Sequence, residues 1–287
     1  MKKIISILLT LAMLATTALA VAEEINVISR EDGSGTRGAF IELFGIEQKN
    51  AEGKKIDYTT DDCDITNSTS VMMTSVAGND CAIGYISLGS MNDTVKALKI
   101  DGVEASVENI KNGTYKVARP FNIATKAEVS DAAADFIAFI MSAEGQAVIE
   151  ANGYIAVVED APAFAGGKLS SKIICGKIVI AGSSSVTPVM EKLAEAYEAI
   201  NPGVEIELQQ SDSSSGMTST IDGVCDIDMA SRALKDSEIE AGLVPMTIAM
   251  DGIAVIVSND NPVEALTTEQ VRDIYMGEIT DWSEVNE

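Results

Sequence analysis

The chain has 287 residues, with 44 Asp and Glu against 20 Lys and Arg and no histidine, for a formal net charge of −24. That length suggests about two domains, and 46% hydrophobic with 22% charged residues is a globular composition. Without histidine there is no Ser-His-Asp or Cys-His catalytic set and no His-ligated metal; the acidity argues against a nucleic-acid partner or an anionic membrane surface, both of which need a basic face.

Lys2 and Lys3 precede an apolar run from Ile4 to Leu14, and small residues follow to Ala18-Leu19-Ala20. A positive start, a short apolar stretch and an A-x-A site predict a signal peptide over 1–22, with Ala20-Val21-Ala22 as a second cut. The run is too short for a transmembrane anchor, and no cysteine adjoins the cut to carry a lipid. Cys63, Cys81, Cys175 and Cys225 all lie in the exported part and allow three pairings. None has C-x-x-C spacing, so they read as scattered small residues with room for one bridge, Cys63–Cys81 being the first pair to test.

β-branched runs then alternate with helical patterns, which indicates an α/β chain. Strands are predicted at Ile25–Ser29, Ala82–Ser87, Lys177–Ala181, Val204–Gln209, Asp226–Met229 and, as one or two, Val244–Val257. Helices are predicted at Thr36–Phe44, from Asn67-Ser68-Thr69 to about Ala77, at Val129–Met141, Ala143–Asn152, Val186–Ile200, around Met217–Ile221, and at Thr267–Met276. Pro162 and Gly166-Gly167 mark Glu159–Ser171 as the best linker in the chain.

Four strand-to-helix junctions share one composition: REDGSGT at Arg30–Thr36, NSTS at Asn67–Ser70, GSSS at Gly182–Ser185 and SDSSSG at Ser211–Gly216. A helix start leaves backbone N–H groups unpaired and carries about half a positive charge. Glycine allows close approach and hydroxyls add donors, so several such starts together make an oxyanion site. Each loop alone is also explained as ordinary N-capping; their recurrence favours anion binding. The chain's acidity does not forbid this, because charges beyond a Debye length of about 8 Å are screened. Arg30 is the fixed cation beside these loops, with Asp32 placed to hold its guanidinium; Arg37 reads as solvated. Gly33–Gly38 matches G-x-G-x-x-G, but the helix is short and no second strand ends in an acid, so a dinucleotide fold is disfavoured. No serine has an evident base, which argues against a nucleophile.

SREDGSGTRGAF at Ser29–Phe40, IVIAGSSSVTPVMEKLAEAY at Ile178–Tyr197, SSG at Ser214–Gly216, AIGYISLG and NGYIAV together resemble the substrate-binding proteins of high-affinity phosphate ABC transporters. The order differs: the family's GSSS half comes first, whereas here the DGSGT half does. The resemblance therefore implies a two-lobed periplasmic-binding-protein fold of type II, circularly permuted, with a ligand cleft between the lobes. A tandem-array fragment completed by swapping is the rival account of the order. Placing the interlobe crossings near Val117–Ile123 and Ile248–Ala254 gives a split lobe, 23–118 plus 252–287, and a continuous lobe, 119–251, with a linker at about 156–176.

Position by position, the resemblance implies that Arg30, Ser34, Gly35 and Thr36 grip phosphate from the split lobe and Ser184, Ser185 and Ser214 from the continuous one. Ser183 and Asp32 are supporting candidates. Where relatives carry a carboxylate that accepts the proton of hydrogen phosphate, this chain reads Ala230-Ser231-Arg232; Ser231 is then a weak acceptor, Arg232 a second cation, and Asp32 a substitute carboxylate. The function implied is capture of inorganic phosphate by an exported, periplasmic or cell-surface, monomeric protein that delivers it to a membrane permease, with no cofactor and no metal. Binding of another tetrahedral oxyanion such as sulfate, an exported phosphatase, and a sensory surface protein are the alternatives.

Overall fold

The computed structural model describes residues 24–166 and 175–286. The signal segment expected over 1–22, and residues 167–174 of the expected linker, lie outside the described residues.

In chain order the strands are β1 (Asn26–Arg30), β2 (Glu47–Lys49), β3 (Lys55–Asp57), β4 (Asp64–Thr66), β5 (Ala82–Ser87), β6 (Val95–Ala97), β7 (Lys99–Ile100), β8 (Ala118–Thr125), β9 (Ile155–Ala156), β10 (Gly176–Ser183), β11 (Val204–Ser211), β12 (Ile227–Ala230), β13 (Val244–Ser258) and β14 (Ala265–Leu266). The helices are α1 (Gly35–Leu43), α2 (Thr69–Ala77), α3 (Val107–Lys111), α4 (Asp131–Ile140), α5 (Ala143–Ala151), α6 (Thr187–Ile200), α7 (Ser213–Asp222), α8 (Asp236–Glu240) and α9 (Thr268–Tyr275). Serine or threonine capping starts most of the longer helices: Ser34, Ser68, Ser130, Ser142 and Thr267 each accept a first-turn N–H, as Asp212 does for α7. Helix α6 starts instead on Val186 with Pro188 in its first turn, which leaves the GSSS hydroxyls free of capping duty.

One curled sheet runs β11-β10-β12-β8-β13-β5-β1-β4. Strand β13 is its spine. Its first part pairs antiparallel with β8, from Val244↔Thr125 to Gly252↔Ala118, with a register shift between Thr247 and Ala249. Its second part pairs with β5, from Ile253↔Ser87 to Val257↔Ile83. The stretch Val244–Val257, expected as one or two strands, is thus a single strand shared by both halves of the molecule.

Two cores flank that spine. One gathers buried residues from Ile25 to Val117 and from Ile253 to Val285; the other runs from Phe121 to Ala249. The first holds a ring cluster in which Phe40 stacks on Tyr85 at 3.9 Å between centroids and meets Tyr275 edge-on. In the first half β1 lies parallel to β4 and β5, and in the second β10 lies parallel to β11 and β12. The carboxyl ends of those strands, at Arg30, Ser183, Ser211 and Ala230, carry the loops that face the junction, as expected where parallel strands open onto a crevice.

The two ends of the described chain lie together. Ile25 N–H donates to Thr280 C=O at 2.8 Å, and Glu24 bridges Asp281. The Cys63–Cys81 bridge is not formed; Cys63 is a free thiol, as are exposed Cys175 and buried Cys225. Cys63 precedes β4 and Cys81 precedes β5, which flank β1 on opposite sides. Two strand spacings of about 4.8 Å put the pair beyond disulfide reach.

Candidate functional site

Arg30 closes β1, its backbone N–H bound to the Tyr85 hydroxyl at 3.1 Å. The side chain is 2% exposed. Nε and Nη2 fork onto Glu31 at 2.8 Å each, and Nη2 also donates to Ser184 Oγ at 3.1 Å. Nη1 is buried and has no hydrogen-bond partner among the described residues. Glu31, rather than Asp32, therefore holds the guanidinium. The Asp32 side chain faces solvent and pairs with Arg37 at 3.2 Å, so it does not stand in as the missing carboxylate. Nor is Arg37 solvated. It also pairs with Asp57 at 2.9 Å and donates to the Arg30 carbonyl at 2.9 Å, which pins the end of β1 to α1.

Opposite Arg30 stands the GSSS loop. Ser184 Oγ also meets Thr69 N–H at 3.3 Å and Thr69 Oγ1 at 3.4 Å. Ser185 Oγ lies 2.8 Å from Thr36 Oγ1 and 3.1 Å from Thr69 Oγ1. Ser183 Oγ donates to Ser231 Oγ at 2.9 Å, and Ser231 Oγ is 3.4 Å from Thr36 Oγ1. Ser213 Oγ accepts the Ser231 N–H at 3.3 Å. At the outer end Ser214 donates through N–H and hydroxyl to Gly33 C=O, both at 3.2 Å. Thr36, Thr69, Ser183, Ser184, Ser185, Ser213 and Ser231 are all buried.

Close approach depends on glycine. A Cβ at Gly35 would overlap Ser213 Oγ and lie 2.7 Å from Ser231 Oγ, across the junction. Gly33, at φ +89°, has no room for a side chain beside the Asp212 carboxylate.

Of the residues named from sequence, Arg30, Gly35, Thr36, Ser183, Ser184, Ser185 and Ser231 converge in this cluster. Ser214 lies at its edge. Ser34 is buried but uses its hydroxyl to cap α1, accepting Arg37 N–H at 3.3 Å. Arg232 is not a free cation: its guanidinium forks onto Glu238 at 2.7 and 2.8 Å and donates to Ser214 Oγ, at the edge of the cluster, at 3.1 Å. Thr69 and Ser213 belong to the cluster and were not singled out. Their loops were recognised by composition, but which hydroxyl turns inward depends on where each helix starts.

Behind the cluster, Arg119 on β8 faces Asp251 on β13 as register partners, each side chain 1% exposed, at 3.2 Å. Arg119 Nη1 donates to Ser231 C=O at 3.3 Å and Asp251 accepts Gly89 N–H at 3.4 Å, so the pair is tied to both halves. Burial pushes the Asp251 carboxyl up to about 6 despite the guanidinium beside it.

Chemically, the cluster offers one guanidinium, many hydroxyls and the starts of α1, α2 and α7. Among the described residues, none of the hydroxyls that meet across the junction is hydrogen-bonded to a carboxylate or amine base. The arrangement suits holding an anion, not activating a nucleophile.

The profile of the PBP superfamily domain matches residues 12–144 and 164–287. The phosphate-binding protein PstS 2 of Streptococcus agalactiae is 56% identical over 263 residues, 91% of this chain and 88% of that protein. The chain belongs to the PBP superfamily, in its PstS line. A crystal structure of a phosphate-binding protein of a phosphate ABC transporter from Streptococcus pneumoniae superposes on this PBP with a TM-score of 0.70 at 44% identity, covering 91% of this chain and 99% of that one. The two-lobed periplasmic-binding-protein fold is thereby established. The PstS of Staphylococcus saprophyticus matches this PBP differently: 35% identity over 128 residues, 42% of this chain and 40% of that protein.

Proposed function

We propose that this protein captures inorganic phosphate between its two lobes for uptake by an ABC transporter. The observation that carries the reading is Arg30 Nη1: a buried, unpartnered cationic donor beside hydroxyls contributed by both halves. A buried donor left unpaired costs about 1–3 kcal/mol, a cost that a bound oxyanion removes. The names of the PstS relatives, given for phosphate binding, point the same way. It is a binding protein and not an enzyme.

In this reading Arg30 supplies the charge, Gly35 a backbone N–H, and Thr36, Thr69, Ser184 and Ser185 hydroxyl donors, with Ser34 and Ser214 at the edge of the site, where their N–H groups brace the loops on Glu31 C=O and on Gly33 C=O and Asp212. Ser183 and Ser231 orient the inner hydroxyls. The lobes are 23–118 plus 252–287 and 119–251, a division supported by the two cores. Since these ligands come from both lobes, phosphate binds the closed state better and draws the cleft shut. The protein is exported by its N-terminal signal, acts as a monomer and delivers phosphate to a membrane permease.

The order of the halves is a circular permutation in this reading. Three observations support it. The segment at Ile25 hydrogen-bonds the segment at Thr280, so the two could be joined directly in a chain of the other order. The Streptococcus agalactiae relative matches in one alignment over 91% of this chain and 88% of its own length, as a chain of the same order does. The Staphylococcus saprophyticus relative matches over less than half, as a chain with exchanged halves does.

Sulfate is the second reading, favoured by one observation: among the described residues no carboxylate is hydrogen-bonded to the inner hydroxyls to accept a phosphate proton. Calorimetric titration of the mature chain with phosphate, arsenate and sulfate tests both. Saturable one-to-one binding of phosphate is the expected result; binding of sulfate alone would replace the first reading with the second.

A further inference from the structure

Beneath the continuous half of the cluster lies a carboxyl group that phosphate capture does not use. Asp228, the second residue of β12, has no solvent exposure, and among the described residues no side chain hydrogen-bonds either carboxyl oxygen, the backbone N–H of Met229 being the polar group turned toward it. Ala230, on the same face of the strand, packs with Ala124, Met217 and Leu243, so the carboxyl enters an apolar space under α7. Two glycines make room for it. A Cβ at Gly216 would overlap Asp228 Oδ1, and one at Gly182 would stand 2.8 Å from it. Gly182 leads directly into Ser183–Ser185, and Gly216 lies in the first turn of α7 after Ser213 and Ser214. The group is thus wedged between the two arms that the continuous half extends to the cleft.

The charged groups around it are few. Asp212 caps α7, Arg232 follows β12, and Glu238 sits on α8, already paired with Arg232. Asp226, just before β12, accepts Val179 N–H at 2.8 Å. From β10 and β8 its register partners are Ala181 and Ala124, which carry no charge. Burial, reinforced by Glu238 and Asp212 and opposed by Arg232 and the Met229 N–H, holds the carboxyl well above the ordinary carboxylate range.

We propose that Asp228 is a proton-linked determinant of anion affinity. Neutral, it leaves the GSSS loop and the start of α7 free to hold a dianion. Ionised, it releases its proton to solvent and puts a negative charge under the same donors, opposing the positive end of α7. Affinity falls as pH rises through the Asp228 titration, and by reciprocity a bound dianion keeps the proton on Asp228. This inference rests on the phosphate reading of the cleft.

The test compares the mature chain with Asp228→Asn, which is neutral at every pH, by phosphate titration from about pH 6 to about pH 9.5. Both should bind alike at the acid end. At the alkaline end the native chain should bind about tenfold more weakly than the variant. Phosphate's own ionisation affects both equally and cancels in the ratio. A ratio that stays constant over the range overturns the inference and leaves the phosphate reading standing; absence of phosphate binding by both proteins at every pH overturns the phosphate reading itself. Should Asp228→Asn not fold, the carboxyl carbon resonance of Asp228 in the native protein serves instead. Phosphate should raise its titration midpoint, and an unmoved midpoint contradicts the coupling.

Discussion

Arg30 and Ser184 lie 154 positions apart in the chain and meet at 3.1 Å across the junction of the two lobes. One ends β1 in the split half and the other follows β10 in the continuous half. Their contact joins the two halves at the candidate site, since neither half holds both groups.

The guanidinium is the first prediction. Arg30→Ala should weaken phosphate binding by about 3 kcal/mol, the scale of one or two charge-assisted hydrogen bonds, with the melting temperature of the ligand-free protein little changed. Arg30→Lys should restore little of it, because an ammonium cannot fork onto Glu31 while reaching both Ser184 and the ligand. Calorimetry on the two variants checks both statements.

Gly35 supplies the second. Its missing Cβ is what lets α1 approach Ser213 and Ser231 of the other lobe. Gly35→Ala should therefore cost about 1–3 kcal/mol of phosphate affinity by obstructing closure, while each lobe keeps its own packing. Small-angle scattering should show the variant remaining open at phosphate concentrations that compact the native protein.

The buried Arg119–Asp251 pair supplies the third. Asp251→Asn keeps the shape of the side chain but leaves Arg119 as a buried cation without its counter-charge. Breaking one partner of such a pair costs about 3–5 kcal/mol. Denaturant unfolding should register that loss even without phosphate, which separates it from the Arg30 variants.

The fourth concerns stability against pH. The folded protein holds the Asp228 carboxyl above its ordinary value, whereas the unfolded chain releases that proton near pH 4. The stability associated with the neutral form is complete below the unfolded value and is lost as pH rises through the folded one. Asp228→Asn should accordingly melt at a higher temperature than the native chain at alkaline pH, and the gap should shrink as pH falls. Thermal melts across pH read it directly.

Much of this was legible before any coordinates. Composition picked out the loops, because small hydroxyl residues and glycine recur at four strand-to-helix junctions, more often than capping alone requires, and the long apolar periods located β5, α2, α4, α5 and α6 within two residues of their ends. The shortest elements escaped. β2, β3, β6, β7 and β14 span two or three residues each, too few to show a period of two. Partner choice was also hidden. Glu31 and Asp32 are equally placed by sequence to hold Arg30, and only the direction in which the chain leaves β1 turns one toward the guanidinium and the other to solvent. Arg232 read as a free cation because Glu238, six residues on, returns to it only through α8. Asp228 gave no signal at all, since a buried carboxyl and a surface one look alike in a short strand.

The most direct test is a crystal structure of the mature chain grown with phosphate. The account predicts one anion between the lobes, within hydrogen-bonding distance of Arg30 Nη1 and of hydroxyls from Thr36 and Ser185. An anion bound away from Arg30, or touching groups of one lobe only, would contradict it.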